Sequence, residues 1–435
     1  MTQILFSLVL IFFIVLIIQR AKQIIKNINL GIGNMPHGAP RERLQTMFWV
    51  AFGQKKMFKK PVPALLHGLI YVGFLVINIE VLEFIIDGLS GHHRFFAPYT
   101  QPVYSWLMNV FEFMALGVLI SCIIFLIRRN IIRIRRFHSR EMTSWPKLDA
   151  NLILIIESTL VLAILAMNAT DQILQPIDPG YPETGRLIIS STLLPIFQNM
   201  SHTTLLIIER TAWWFHIIGI LAFALYVTYS KHLHIFMAFP NTYYSRFAPS
   251  GKVNNMEVVT REVYSMLQIP LPEAEGAEEN VPPEKFGADD VTGLSVKNIM
   301  EAYACTECGR CTSQCPANLT GKKLSPRAVM MAVRDRAEEL GKQKSSEKDN
   351  GKKLLGDYIS KEEINACTSC NACVEACPVN INPLEIILEL RRYVAMEESG
   401  CPAAWNQMFQ NIETNFAPWK FPPTERFSWS EKIKL

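Results

Sequence analysis

The chain has 435 residues, of which 49% are hydrophobic and 19% charged, and its net charge is +4. That length allows two or three domains, and so small a positive balance is not the basic footprint of a nucleic-acid binder. Ten cysteines could suggest a disulfide framework, but eight of them fall in two tight groups, which excludes that reading in favour of metal binding in a reducing compartment.

Apolar residues crowd roughly the first 240 positions and charged residues the rest. Five stretches approach the length of a bilayer span: residues 4–18, 62–86, 103–127, 150–170 and 207–230. The first has no basic n-region and no small-residue cleavage site, so it reads as a retained anchor rather than a signal peptide. The stretch 187–200 is too short to span and contains Pro195, which predicts an interfacial or re-entrant segment. Lys and Arg set the orientation. They are dense in residues 19–60 and 128–149, whereas the loops at 87–102 and 171–206 hold Arg94 and Arg186 alone. The basic loops are therefore expected on the cytoplasmic face of a bacterial or archaeal inner membrane, with the N-terminus outside and the chain after about residue 231 inside.

A membrane domain over residues 1–245 gives way to a linker at 246–295, rich in proline, glycine and acids. Residues 296–400 then form a second domain, with helices predicted at 296–304, 325–340, 361–366 and 383–398. A charged insertion, LGKQKSSEKDNGKKLLG, reads as a solvated loop, with partner docking as the sharper alternative. Residues 401–435 form a C-terminal extension expected to dock a partner. The fold expectation is mainly α: a five-transmembrane-helix bundle followed by a cytoplasmic, α-helical, two-cluster [4Fe–4S] ferredoxin domain.

The cysteine groups carry that last expectation. Both read C-x2-C-x2-C-x3-C-P, at Cys305, Cys308, Cys311, Cys315 with Pro316 and at Cys367, Cys370, Cys373, Cys377 with Pro378. Three thiolates on a short loop grip three corners of an iron–sulfur cube, and in two-cluster folds the fourth cysteine ligates the other cube. Cluster one then takes Cys305, Cys308, Cys311 and Cys377; cluster two takes Cys367, Cys370, Cys373 and Cys315. The proline after each fourth cysteine is expected to start a departing helix. Structural zinc is the bland alternative, but zinc ligands come in pairs a dozen or more residues apart. Cys401 and Cys122 read as ordinary packed thiols.

Histidines at membrane depth are functional candidates. His216 and His234 lie 18 residues apart, five turns of one helix and about 27 Å along its axis, so they would share a face with one histidine in each leaflet. That spacing suggests two haems b stacked across the bilayer. His67 matches His234 in depth and is its expected axial partner at the inner haem. His202, His93 and His92 are the outer-side candidates to face His216, and a single haem stays open, as does an interfacial role for each histidine taken alone. Glu80, Glu83, Glu112, Glu157 and Asp171 lie in or near spans; Glu80 and Glu83 either relay protons for a quinone or are solvated at the interface.

The segment TAWWFHIIGILAFALYVTYSKHLHIF with Pro240 and Asn241 resembles the haem b membrane domain shared by the gamma subunit of respiratory nitrate reductase and the membrane subunit of heterodisulfide reductase. AYACTECGRCTSQCPA with LSPR, ACTSCNACVEACPVNINP and NFAPWKFPPTERFSW resemble heterodisulfide-reductase-type iron–sulfur oxidoreductases. Two features depart from those families. Ten residues after His67, where the nitrate reductase type has a second histidine, stands Ile77, and the Cys-Cys-Gly signature of a catalytic domain is absent from the sequence.

The resemblance implies a respiratory electron-transfer subunit. Electrons would pass between a cytoplasmic redox subunit and menaquinone or another quinone, through two [4Fe–4S] clusters and haem b. The cytoplasmic partner would be a Cys-Cys-Gly-type protein, in a thiol–disulfide system, or an electron-transfer flavoprotein. A non-catalytic redox-sensing or scaffold subunit is the rival from another class.

Overall fold

The computed structural model describes residues 2–249, 251–270, 285–343 and 350–433. Five long helices carry the apolar stretches: α1 (Thr2–Ile28), α2 (Pro61–Ser90), α3 (Val103–Asn130), α4 (Ser144–Leu174) and α5 (His202–Val227). Even the shortest, at 26 residues, runs about 39 Å, enough to cross a hydrocarbon core of about 30 Å. Local signals set their ends. Prolines in its first turn open α2, left-handed Gly91 closes it, and the Ser201 hydroxyl accepts the Thr204 N–H to open α5.

α4 packs along α5, α3 lies between α2 and α4, and α1 leans on α2 and α5. A side chain at Gly88 would press within 2.6 Å of the Phe6 ring, so this glycine admits α1 to the bundle. Leu8, Ile11, Leu75, Leu82, Ile120 and Leu162 stay exposed on the outer faces, as they do where lipid is the solvent. The segment 187–200 forms two short turns, Ser190–Leu193 and Leu194–Phe197, against α4 and crosses nothing. Glu112 holds it by accepting the Ile189 N–H at 2.9 Å.

Two boundaries differ from those expected. α1 continues ten residues beyond position 18, and its last turns leave the bundle to dock on the cysteine-bearing part. Arg20 forms a bidentate pair with Glu338 at 3.0 and 2.7 Å, and Asn27 donates to the Tyr303 hydroxyl at 2.8 Å. At the other boundary, α5 stops at Val227, where the Ser230 hydroxyl accepts the His232 N–H and starts a new turn at Lys231–Leu233. A separate helix, α6 (His234–Tyr243), follows. His216 and His234 therefore do not share a helix, and the five-turn alignment expected of them is overturned.

The C-terminal part is built on α7 (Val296–Ala304), α8 (Pro326–Lys342) and α9 (Pro383–Met396) around Val291, Leu294, Ile299, Val333, Leu354, Ile386 and Leu390. Ile24, Ile28 and Leu233 of the membrane part enter the same core, so the two parts share one apolar interior. Residues 285–295 already belong to it, which shortens the expected linker from its C-terminal side. Residue 250 and residues 271–284 of that linker, and 344–349 of the charged insertion, lie outside the described residues. Beyond α9, α10 (Ala403–Asn415) exposes Trp405, Phe409 and Ile412 along one face.

Candidate functional site

The two cysteine loops repeat each other in backbone as well as sequence. Glu307 and Gly309 are left-handed in the first; Ser369 and Asn371 occupy the matching positions of the second with the same sign of φ. Curling at those points turns backbone N–H groups toward the ligand side: the Ser369 N–H donates to Cys367 Sγ at 3.4 Å and the Ile381 N–H to Cys377 Sγ at 3.3 Å. A Cβ at Gly309, itself left-handed, would lie 2.5 Å from the Arg327 guanidinium and displace it, whereas Asn371 takes the matching left-handed position of the second loop. After each loop an N-cap and a proline start a long helix, Ser325–Pro326 and Asn382–Pro383. Pro316 opens a four-residue helix as expected, but Pro378 opens only a turn and the departing helix waits until Pro383.

Cys305, Cys308, Cys311 and Cys377 line one cavity together with Cys373, and Arg310, Arg327 and Met330 stand beside them. Cys315 lies within electrostatic reach of Cys367 and Cys370, on the other side. Burial pushes the Cys305 thiol up to about 11 and the Cys373 and Cys377 thiols up to about 12. Cys370 moves the other way, lowered by the Ala372 N–H that faces it. Thiols held neutral by an apolar pocket become ligands only when iron displaces the proton, which is what this donor set suits. Among the described residues no three His, Cys, Asp or Glu side chains gather close enough for a single ion.

His67 and His234 face one another with ring centroids 6.3 Å apart. His67 Nδ1 lies 3.1 Å from Gln54 Oε1, and His234 Nδ1 lies 3.1 Å from the Lys231 carbonyl. Carbonyl acceptors make both Nδ1 atoms donors and leave both Nε2 lone pairs free, the tautomer a metal needs. A metal–imidazole bond of about 2 Å with about 1.1 Å from nitrogen to ring centre would put two imidazoles on one iron with centres ~6.3 Å apart, and the His67 and His234 rings, tilted by 42°, lie at that separation. His232 lies beside them, 5.4 Å from His234, with Nε2 3.5 Å from Glu157.

His216 is prepared in the same way, with Nδ1 donating to the Leu160 carbonyl at 3.0 Å and a buried Nε2 that has no hydrogen-bond partner. Its ring, however, packs on Phe84 at 5.4 Å, with no second imidazole among its ring contacts. The outer-side candidates lie elsewhere. His93 Nδ1 accepts from Arg210 at 3.0 Å and its Nε2 stands 3.4 Å from Asp171; His202 and His92 are exposed, and His202 pairs with Asp178.

A buried polar network fills the end of the bundle remote from the cysteines, and sequence reasoning found only its separate pieces. Arg94 sits at its centre, 2% exposed, 3.1 Å from Asp171 and 3.3 Å from Glu80, with Asn168 as a third partner. The Tyr104 hydroxyl donates to Glu83 at 2.7 Å, and Asn168 donates to Glu112 at 3.2 Å. None of these carboxylates is solvated at an interface, as one reading of Glu80 and Glu83 had it. Cys122 is buried, and its thiol donates to Glu157 at 3.2 Å. Cys401 is half-buried outside both loops.

Residues 304–381 match the model of the 4Fe–4S dicluster domain. Over 90% of its length the chain is 26% identical to a probable iron–sulfur-binding oxidoreductase, FadF, of Bacillus subtilis, covering 55% of that protein. It is 25% identical, also over 90% of its length, to the EtfAB:quinone oxidoreductase of Syntrophomonas wolfei, covering 54% of it. A shorter match, over 34% of the chain at 25% identity, is to one polypeptide of the dihydromethanophenazine:CoB–CoM heterodisulfide reductase of Methanosarcina acetivorans, covering 37% of that polypeptide. The chain thus spans about half the length, or less, of the curated relatives it matches. No solved structure matches it.

Proposed function

We propose that this chain is a membrane-bound electron-transfer subunit of a quinone oxidoreductase. Two [4Fe–4S] clusters, one on Cys305, Cys308, Cys311 and Cys377 and one on Cys367, Cys370, Cys373 and Cys315, exchange electrons with a cytoplasmic redox partner. His67 and His234 hold a haem b that links them to a quinone in the bilayer, with the iron–sulfur part on the cytoplasmic side. The clusters and haem supply one-electron carriers; the chain sets their spacing and burial.

The observation that carries this reading is the His67–His234 pair, two imidazoles with free Nε2 atoms at axial-ligand spacing. The basic loops share the bundle end that holds the cysteine part, since Arg327 donates to the Arg136 carbonyl and pairs with Glu141. That supports a cytoplasmic placement by the distribution of positive charge. The relative named an EtfAB:quinone oxidoreductase supports an electron-transfer flavoprotein as donor and a quinone as acceptor. The heterodisulfide reductase relatives favour a second reading, a thiol–disulfide partner in the flavoprotein's place.

Purified full-length protein tests the proposal through the reduced-minus-oxidised spectrum and the pyridine haemochrome. A haem b band re-oxidised by a menaquinone analogue is expected; protein without haem after gentle purification would leave only the iron–sulfur part. Reduction by a reduced flavoprotein rather than by a dithiol separates the two partner readings.

A further inference from the structure

The seam between the membrane bundle and the cysteine part is organised around one lysine. The Lys231 side chain is 9% exposed. Its ammonium donates to Glu307 Oε2 at 2.5 Å and to the Pro146 carbonyl, and it stands 3.8 Å from Asp149. Glu307 lies between Cys305 and Cys308, at one of the left-handed positions of the first loop. Its other oxygen takes Arg334 at 2.8 Å.

The backbone of the same lysine faces the other way. Its carbonyl accepts the Nδ1–H of His234, so one residue grips the first ligand loop with its side chain and His234 with its main chain. The far end of α6 repeats the attachment. Asn241 donates to the Val379 carbonyl at 2.7 Å, two residues past Cys377, and its own carbonyl accepts from Lys297 at 2.8 Å. Arg310, between Cys308 and Cys311, is 6% exposed and close enough for its charge to reach His67. The second loop is placed differently. Thr368, Ser369 and Cys370 are exposed, and the helix after Cys370 meets the membrane part through a surface pair, Lys59 with Glu375.

Resting on the function proposed above, we propose that Lys231 is a positioning residue that locks the Cys305–Cys311 loop to His234. The cluster held by Cys305, Cys308, Cys311 and Cys377 is then the membrane-side terminus of the relay, and the cluster with exposed Cys370 is the terminus open to the redox partner. The clusters and haem would supply the one-electron chemistry when bound; Lys231 only holds the two ligand sets in place, no bond forms or breaks at it, and it passes no proton.

The test uses full-length protein in detergent, with iron and haem contents measured first. Electron paramagnetic resonance then reads the ferric haem signal and the two reduced-cluster signals, the second cluster's being identified by its change in Cys370→Ser. Lys231→Met is expected to keep both contents while shifting the haem signal and the first cluster's signal together, with the second cluster's unmoved. Lys231→Arg is expected to bring both signals back. Should Lys231→Met fail to fold, Glu307→Gln breaks the same contact from the other side and carries the same expectation. No shift in either signal, or a shift of the second cluster's signal with the haem's, overturns the proposal. Wild-type protein without haem overturns the proposed function and this inference with it; haem present with unmoved signals overturns this inference alone.

Discussion

The two ends of the helix bundle hold the same residue types and use them in opposite ways. At the end that meets the cysteine part, His67 and His234 face each other and each spends only Nδ1, on a carbonyl acceptor. At the remote end, His93 spends Nδ1 on Arg210 and turns Nε2 to Asp171, inside a network whose charges face one another. His216 stands between these cases: its buried Nε2, like that of His93, makes no hydrogen bond, and it has an aromatic ring rather than a carboxylate for a neighbour. A histidine in a membrane span is thus read by what confronts its second nitrogen, not by its depth.

The largest test of that contrast is loss of the near-end pair. His234→Ala and His67→Ala should each abolish the haem b spectrum, while iron and acid-labile sulfide stay at wild-type levels. His216→Ala should leave one haem per chain by pyridine haemochrome; a fall from two haems to one would instead make the remote end a second haem site. Next in size is Arg94→Met. It leaves Asp171 and Glu80 buried without their cation, and removing one partner of a buried pair costs about 3–5 kcal/mol. Thermal unfolding in detergent should show a large fall in Tm, with the cofactor spectra intact below the transition.

The sequence made these two ends legible to different degrees, for a physical reason. The cysteine loops could be read at once because each set of four cysteines and its following proline fall within a dozen residues; the left-handed positions and the meeting of Cys377 with the first loop needed the folded chain. The spans could be read because hydrophobic length is local too. Depth alone paired His67 with His234, and the fold brings their rings to 6.3 Å of each other; the argument from helix phase failed, because a three-residue break at Thr228–Ser230 resets the register and the apolar pattern runs on past it. The remote network stayed hidden because its centre, Arg94, sits in a loop and its partners come from α2 and α4. Carboxyls inside spans were the signal for it; only the folded chain shows that one arginine collects them.

Arg20→Met addresses how firmly the near end is joined to the cysteine part. The pair with Glu338 is bidentate, and its side chains are 8% and 16% exposed, so its loss should cost about 2 kcal/mol. Tyr303 still donates to Glu338, which keeps that carboxylate partnered and the cost below that at Arg94. Limited proteolysis should release the C-terminal part sooner in the variant, with the haem spectrum unchanged.

Lys59→Ala should have the smallest effect, and its smallness is informative. Lys59 and Glu375 are 62% and 69% exposed, and a solvated pair of this kind contributes less than about 0.5 kcal/mol, further screened by salt. The exposed arm of the second cysteine loop, Thr368–Cys370, therefore owes little of its position to the membrane part; the stretch after Cys377 is tied there, by Asn241 through Val379, whereas the first loop is held through Glu307 and Arg327. A variant with wild-type stability and an unaltered haem signal keeps the second loop as the open side of the molecule. A shift of the haem signal in Lys59→Ala at low salt would draw that loop into the near-end seam and reverse the order in which the two clusters meet the membrane.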